Sequence, residues 1–255
     1  MKFLIALILA LTFIGALNAQ QRVSVAAASD LAYCLEEMNR VFHREHPGLE
    51  VIVSNGSSGM FFNQIRQGAP FDVYLSADID FPNRLVREGE AVGDSLTLYA
   101  LGRIVLWTNR TDLPLDTGLE VLRSPSVRYI ALANPEHAPY GKAGKAALEH
   151  KKIWDEVKTK VVFGQNILQA MQFVDTGNAD VGVIALSLVT APAMQGRGRH
   201  VLLPHEWHPP LEQALVLTRH GSGNPAAQTY LRFLQSAPAR AIFEKYGFVV
   251  PTGRQ

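Results

Sequence analysis

Four short stretches of the chain carry residue types that can hold an anion. They are Ala26-Ala27-Ala28-Ser29-Asp30, Ser54-Asn55-Gly56-Ser57-Ser58-Gly59, the segment 134–141, and Gly164-Gln165-Asn166-Ile167. In each, an apolar run ends in small or polar residues and a helical pattern starts within a few positions. The first turn of a helix carries N–H groups with no intrahelical acceptor and a partial positive charge, so it can receive an anion. A single such turn is an ordinary N-cap, a position that Ser, Asn and Asp favour. Four of them facing one cleft make an anion trap that needs no charged side chain.

Other chemistries find less support. Gly56-Ser57-Ser58-Gly59 lacks the spacing and the Lys of a nucleotide P-loop, Gly141-Lys142 lacks the upstream Gly, and no G-x-G-x-x-G follows the first strand. Ser58 sits between strand and helix, but Met60 stands where a G-x-S-x-G elbow needs its last Gly. His205-Glu206-Trp207-His208 and His43-Arg44-Glu45-His46 look like metal spacings, yet each runs into proline and neither is H-E-x-x-H, so they read as loop and helix-end histidines. Asp72, Asp78 and Asp80 read as solvated helix starts and caps. No catalytic constellation and no cofactor motif emerges.

The elements that must position these turns follow from periodicity. The chain alternates β-branched runs with helical stretches throughout, which is an α/β pattern. Strands are expected over 23–28, 49–53, 73–76, 99–108, 129–133, 160–163, 181–186, 201–203 and 215–218. Helices are expected over 31–46, 60–67, 78–88, 113–124, 142–151, 167–176, 188–193, 224–234 and 238–246. Leu31, Cys34, Leu35, Met38 and Phe42 form an apolar stripe on the first helix, which makes Cys34 a buried hydrophobe rather than a reactive thiol. No Gly/Ser linker or repeat divides the chain, so a second lobe must be inserted within the first.

Charge and the first residues narrow the class of protein. Residues 1–19 combine Lys2, an apolar run over 3–17 and a small residue at Ala19, the pattern of a cleaved secretory signal peptide, and the run is short for the roughly 20 residues that span a bilayer. The remaining 236 residues carry 23 basic and 23 acidic side chains, a formal net charge of zero. Nucleic acid is therefore excluded as a partner, since it requires a basic footprint. Export points to an oxidising compartment, but Cys34 is the only Cys, so the core alone must hold the fold.

Five motifs occur in order along the chain. These are the Ala-Ala-Ala-Ser29 opening; Ser57-Ser58 with Gln64-Ile65; Gly68-Ala69-Pro70-Phe71-Asp72-Val73 leading to Ser76-Ala77-Asp78; Asn134-Pro135-Glu136-His137-Ala138-Pro139-Tyr140-Gly141; and Phe243-Glu244-Lys245-Tyr246-Gly247-Phe248. In this the chain resembles the periplasmic molybdate-binding proteins of ABC transporters. The resemblance implies a two-lobed type II periplasmic binding protein whose chain crosses twice between lobes, with the ligand in the cleft. Lobe one is then 20–101 plus 215–255, and lobe two the inserted 102–214. It also implies a periplasmic, non-enzymatic, monomeric binder that delivers molybdate or tungstate to a membrane permease.

Carried over by position, the resemblance implies ligand contacts from Ser29 and Ser58 on lobe one and from the backbone N–H groups of Tyr140 and Ile167 on lobe two. Asp30, Ser57 and Ala185 are secondary candidates. Ala185 stands where some members of the family place a ligand-binding Tyr, so that hydroxyl is lost here, and Tyr140 replaces a small residue. The Asp30 carboxylate must turn away from a dianion or take up a proton, and it is expected to cap its own helix. Sulfate or phosphate remains an alternative ligand, and a secreted hydrolase an alternative class.

Overall fold

The computed structural model describes residues 21–251, and the expected signal peptide lies outside the described residues. Ten strands alternate with helices in the order β1 (Gln21–Ala28), α1 (Ala32–Glu45), β2 (Leu49–Gly56), α2 (Ser58–Arg66), β3 (Val73–Ser76), α3 (Asp80–Arg87), β4 (Thr97–Gly102) and β5 (Ile104–Thr108). They continue as β6 (Ile130–Ala133), α4 (Pro139–His150), α5 (Trp154–Val157), β7 (Val161–Gly164), α6 (Ile167–Asp175), β8 (Val181–Ala185), α7 (Leu186–Val189), β9 (Arg199–Leu202), β10 (Leu211–Leu217), α8 (Pro225–Leu234) and α9 (Ala237–Lys245).

The strands form two five-stranded sheets, ordered β2-β1-β3-β10-β4 and β7-β6-β8-β5-β9. In the first, β1 is parallel to β2 and β3, while β10 runs antiparallel to β3 and β4. The second repeats this plan: β6 is parallel to β7 and β8, and β5 is antiparallel to β8 and β9. Parallel neighbours need helical crossovers, and such crossovers place strand ends and helix starts together at one edge of each sheet, where ligands gather in open α/β folds.

The single strand expected over 99–108 is two strands, one in each sheet, separated by Arg103. The run is apolar on both sides of the crossing and is interrupted only by Gly102-Arg103, a break too short for periodicity to mark as a change of sheet. The return comes through β10, which starts at Leu211 and lies wholly in the first sheet; residue 215, taken above as the return point, is inside that strand. The stretch 113–124 is a 3-10 segment, Leu115–Arg123, kinked at Gly118, in keeping with its proline and glycine.

The apolar stripe of α1 is buried as its spacing requires: Cys34, Leu35, Met38 and Phe42 are each at most 1 % exposed. Phe42 meets Tyr230 of α8 edge-on, with ring centroids 5.0 Å apart. Burial of each such side chain contributes about 1.5–3 kcal/mol, and this core replaces the cross-links that a lone Cys cannot form.

Candidate anion-binding site

All four strand-to-helix turns open onto one small cavity between the two sheets. Its lining includes Ala28, Ser29 and Asp30 from the first turn, Gly56, Ser57 and Ser58 from the second, Ala138, Pro139 and Tyr140 from the third, and Ile167 from the fourth, with Ala77 beside them. Ser29 begins a 3-10 turn that feeds α1, Ser58 and Ile167 are the first residues of α2 and α6, and Tyr140 is the second of α4 after Pro139. The N–H groups at these positions have no helical carbonyl to bond, and the cavity lining contains no Lys, Arg or His.

Neighbouring residues hold these donors in place. Ser57 is the N-cap of α2, and its hydroxyl accepts from Met60 N–H at 3.4 Å, so its side chain serves the helix. Ser58 is fixed at both ends: its carbonyl accepts the Tyr74 hydroxyl at 2.8 Å, and its own hydroxyl accepts the Ala77 N–H at 3.0 Å. The Ser58 hydroxyl hydrogen stays available for a ligand. Asn166 caps α6 through Gln169 N–H at 3.0 Å, leaving Ile167 N–H for the cavity.

Contacts across the cleft define a closed state. Leu168 N–H of α6 donates to Ser29 Oγ at 3.4 Å, and Gly59 N–H of α2 donates to the His137 carbonyl at 2.9 Å. Gly59 is required for this approach, since a Cβ there would lie 2.8 Å from the His137 oxygen.

The expectation for Asp30 is corrected. The 3-10 turn puts Ala28 at the cap position, and Asp30 makes no capping bond. Its carboxylate is buried, with Oδ2 accepting the Tyr140 hydroxyl at 3.0 Å and Gln213 Nε2 at 2.7 Å. Gln213 in turn accepts the Tyr99 hydroxyl at 2.7 Å. The Tyr140 hydroxyl thus has a partner across the cleft, and it reaches it over Gly102, where any Cβ would overlap it. Burial pushes the Asp30 carboxyl up to about 7, against the lowering effect of the Gln213 and Tyr140 bonds.

A model of the bacterial extracellular solute-binding protein family matches residues 23–249. The chain belongs to this family. It is similar to the molybdate-binding protein ModA of Azotobacter vinelandii, with 36 % identity over 226 residues and 89 % of each chain covered. Similarity to the ModA of Rhodobacter capsulatus is 37 % over 227 residues, covering 89 % of this chain and 88 % of that one. The solved structure of the Azotobacter vinelandii periplasmic molybdate-binding protein matches with a TM-score of 0.85 at 32 % identity, covering 90 % of this chain and 100 % of the other. The fold is the two-lobed type II arrangement expected from the resemblance.

The cavity gathers Ser29, Asp30, Ser57, Ser58, Tyr140 and Ile167 but not Ala185. Ala185 is the last residue of β8, paired with Ile104 and fully buried in the second sheet, and its methyl group does not reach the cavity lining. Ser187, two residues on and also outside the lining, donates its hydroxyl to the Asp30 carbonyl at 2.8 Å from behind the site. Sequence reasoning missed Gln213 and Ser187. Gln213 stands beside Glu212 ahead of the apolar stretch 214–217 of β10, outside the strand that periodicity marks, and Ser187 leaves no trace. Asp72 is also corrected: it is 5 % exposed and accepts the Ser24 N–H at 2.7 Å, joining the start of β3 to β1 instead of capping a solvated helix.

Proposed function

We propose that the protein captures molybdate in its closed cleft and delivers it to the membrane permease of an ABC transporter, acting in the periplasm as a monomer and without chemical change to its ligand. The observation that carries this reading is the convergence of four helix starts, contributed by both sheets, on one cavity free of cationic side chains. The similarity to two ModA proteins over most of the chain names the oxyanion. Ser29, Ser58, Tyr140 and Ile167 are the proposed donors.

A fully deprotonated tetrahedral dianion asks for donors alone. Micromolar affinity corresponds to about −8 kcal/mol, and charge-assisted hydrogen bonds contribute roughly 1.5–3 kcal/mol each, so four to six donors suffice after ordering costs. Binding without a cation also eases release, because opening the lobes withdraws half of the donors at once. Sulfate has the same charge and shape and is rejected by size, while tungstate, nearly as large as molybdate, binds as well.

Hydrogenphosphate is the second reading, favoured by one observation: Asp30 lines the cavity and has an oxygen free to accept a proton. A thermal-shift panel of molybdate, tungstate, sulfate and phosphate decides between them. Molybdate and tungstate are expected to raise the melting temperature by several degrees at submillimolar concentration. A rise with phosphate or sulfate alone overturns the molybdate reading.

A further inference from the structure

Asp30 is the acidic residue of the cavity lining, and its two carboxylate oxygens are unequally served. Oδ2 receives Tyr140 and Gln213, whereas Oδ1 is buried with no hydrogen-bond partner among the described residues. Several elements pack against it. Tyr140 comes from α4, Gln213 from β10 with Tyr99 of β4 behind it, Ser187 from α7 onto the Asp30 carbonyl, and Cys34 lies one turn along α1. None of these groups is a cation, and no Lys, Arg or His raises or lowers the Asp30 carboxyl through its charge.

A dianion brought into this cavity beside an ionised Asp30 would place three negative charges in one desolvated space with no counter-cation. Repulsion and burial act in the same direction, and both favour the neutral acid. We propose that Asp30 enters the loaded site as the neutral carboxylic acid, so that capture of the tetrahedral dianion is coupled to uptake of one proton from solvent at this residue. The inference rests on the oxyanion reading above.

The proton goes to Oδ1, the oxygen without a donor, while Tyr140 and Gln213 stay on Oδ2. The new O–H needs an acceptor, and an oxygen of the bound anion in the same cavity supplies it. No other bond forms or breaks. Burial in the closed state already holds the Asp30 carboxyl near 7 before any anion is added, which is the direction the coupling requires. Asp30 also joins the lobes, because Tyr140 on its carboxylate and Ser187 on its carbonyl both belong to elements flanking the second sheet. Opening the cleft exposes Asp30 to water and returns the proton.

The test is calorimetric titration of the purified protein with sodium molybdate at pH 7.5, in buffers of low and high ionisation enthalpy. The wild type is expected to take up between about half a proton and one proton per anion, and its affinity to fall as pH rises, by up to about tenfold per unit. Asp30→Asn is expected to bind with no proton uptake and with affinity flat from pH 6 to 8.5. Equal proton uptake by both proteins, or none by the wild type, overturns the proposal. Should Asp30→Asn not fold, Tyr140→Phe removes a donor from Oδ2, and the coupling then requires uptake to persist to higher pH than in the wild type; unchanged pH dependence counts against it. Molybdate that fails to bind the wild type overturns the molybdate reading and this inference together, whereas molybdate bound without a proton overturns this inference alone.

Discussion

The Ser58 hydroxyl oxygen accepts the N–H of Ala77 at 3.0 Å, and both residues line the cavity between the sheets. The hydroxyl therefore has two tasks, one toward the end of β3 and one toward a ligand. Ser58→Ala removes both. Molybdate affinity is expected to fall tenfold or more, and unfolding free energy by about 1–3 kcal/mol, because the Ala77 N–H is left buried without its acceptor. Calorimetry and urea denaturation read the two effects separately; an unchanged dissociation constant removes Ser58 from the site.

Gly59→Ala separates closure from folding. Alanine favours the helix interior over glycine, so the unloaded protein is expected to be as stable as the wild type or slightly more so. The added Cβ meets the His137 carbonyl only when the lobes close. Anion dissociation should then be at least tenfold faster by stopped-flow, with association little changed. Equal off-rates in variant and wild type would show that the Gly59–His137 contact does not form in the loaded protein.

The Asp30 carboxyl also leaves a mark on stability. Its pKa is about 7 in the fold against 3.8 as the ordinary value, so the folded state binds this proton more tightly than the unfolded chain. For a carboxyl raised in this way, the contribution to stability is most favourable below about 3.8, is lost as pH rises toward 7, and is flat above, with an upper bound of about 4 kcal/mol. Asp30→Asn does not titrate. The unfolding free energy of the wild type minus that of the variant is expected to decline from pH 4.5 to about 7 and then level off. A difference that stays constant across that range contradicts the burial of a titrating Asp30.

Cys34 is fully buried on the α1 stripe, and burial pushes its thiol well up. Reaction with a water-soluble disulfide reagent at neutral pH is expected to follow global unfolding, and molybdate should slow it further by stabilising the fold. Labelling within seconds in native buffer would show that α1 opens locally.

Much of this was legible in the residues. The strand-to-helix turns carry small and polar residues that a helix start requires, and those local signals placed four of the site's parts without reference to each other. Their convergence depends on strand order, which a hydrophobic run does not encode; in 99–108 only the pair Gly102-Arg103 separates the apolar residues of one sheet from those of the other. The fate of Asp30 was hidden for a similar reason. A carboxylate at a helix start reads as a cap, and only the arrival of Tyr140 and Gln213, 110 and 183 residues further along, takes it elsewhere. Ala185 could be assigned by position alone, and its methyl group carries no chemistry that would test the assignment.

A single residue, Arg103, separates β4 in one sheet from β5 in the other, and the return through 203–210 contains Pro204, Pro209 and Pro210. The first connection has no slack, and the prolines stiffen the second. Two such connections favour rotation of one half against the other over sliding. The aperture behaves as a jaw with a short, stiff pivot, so the gap at the mouth grows in proportion to its distance from Arg103. An anion leaves by the mouth, and loosening the pivot alone, with every donor intact, would cost retention.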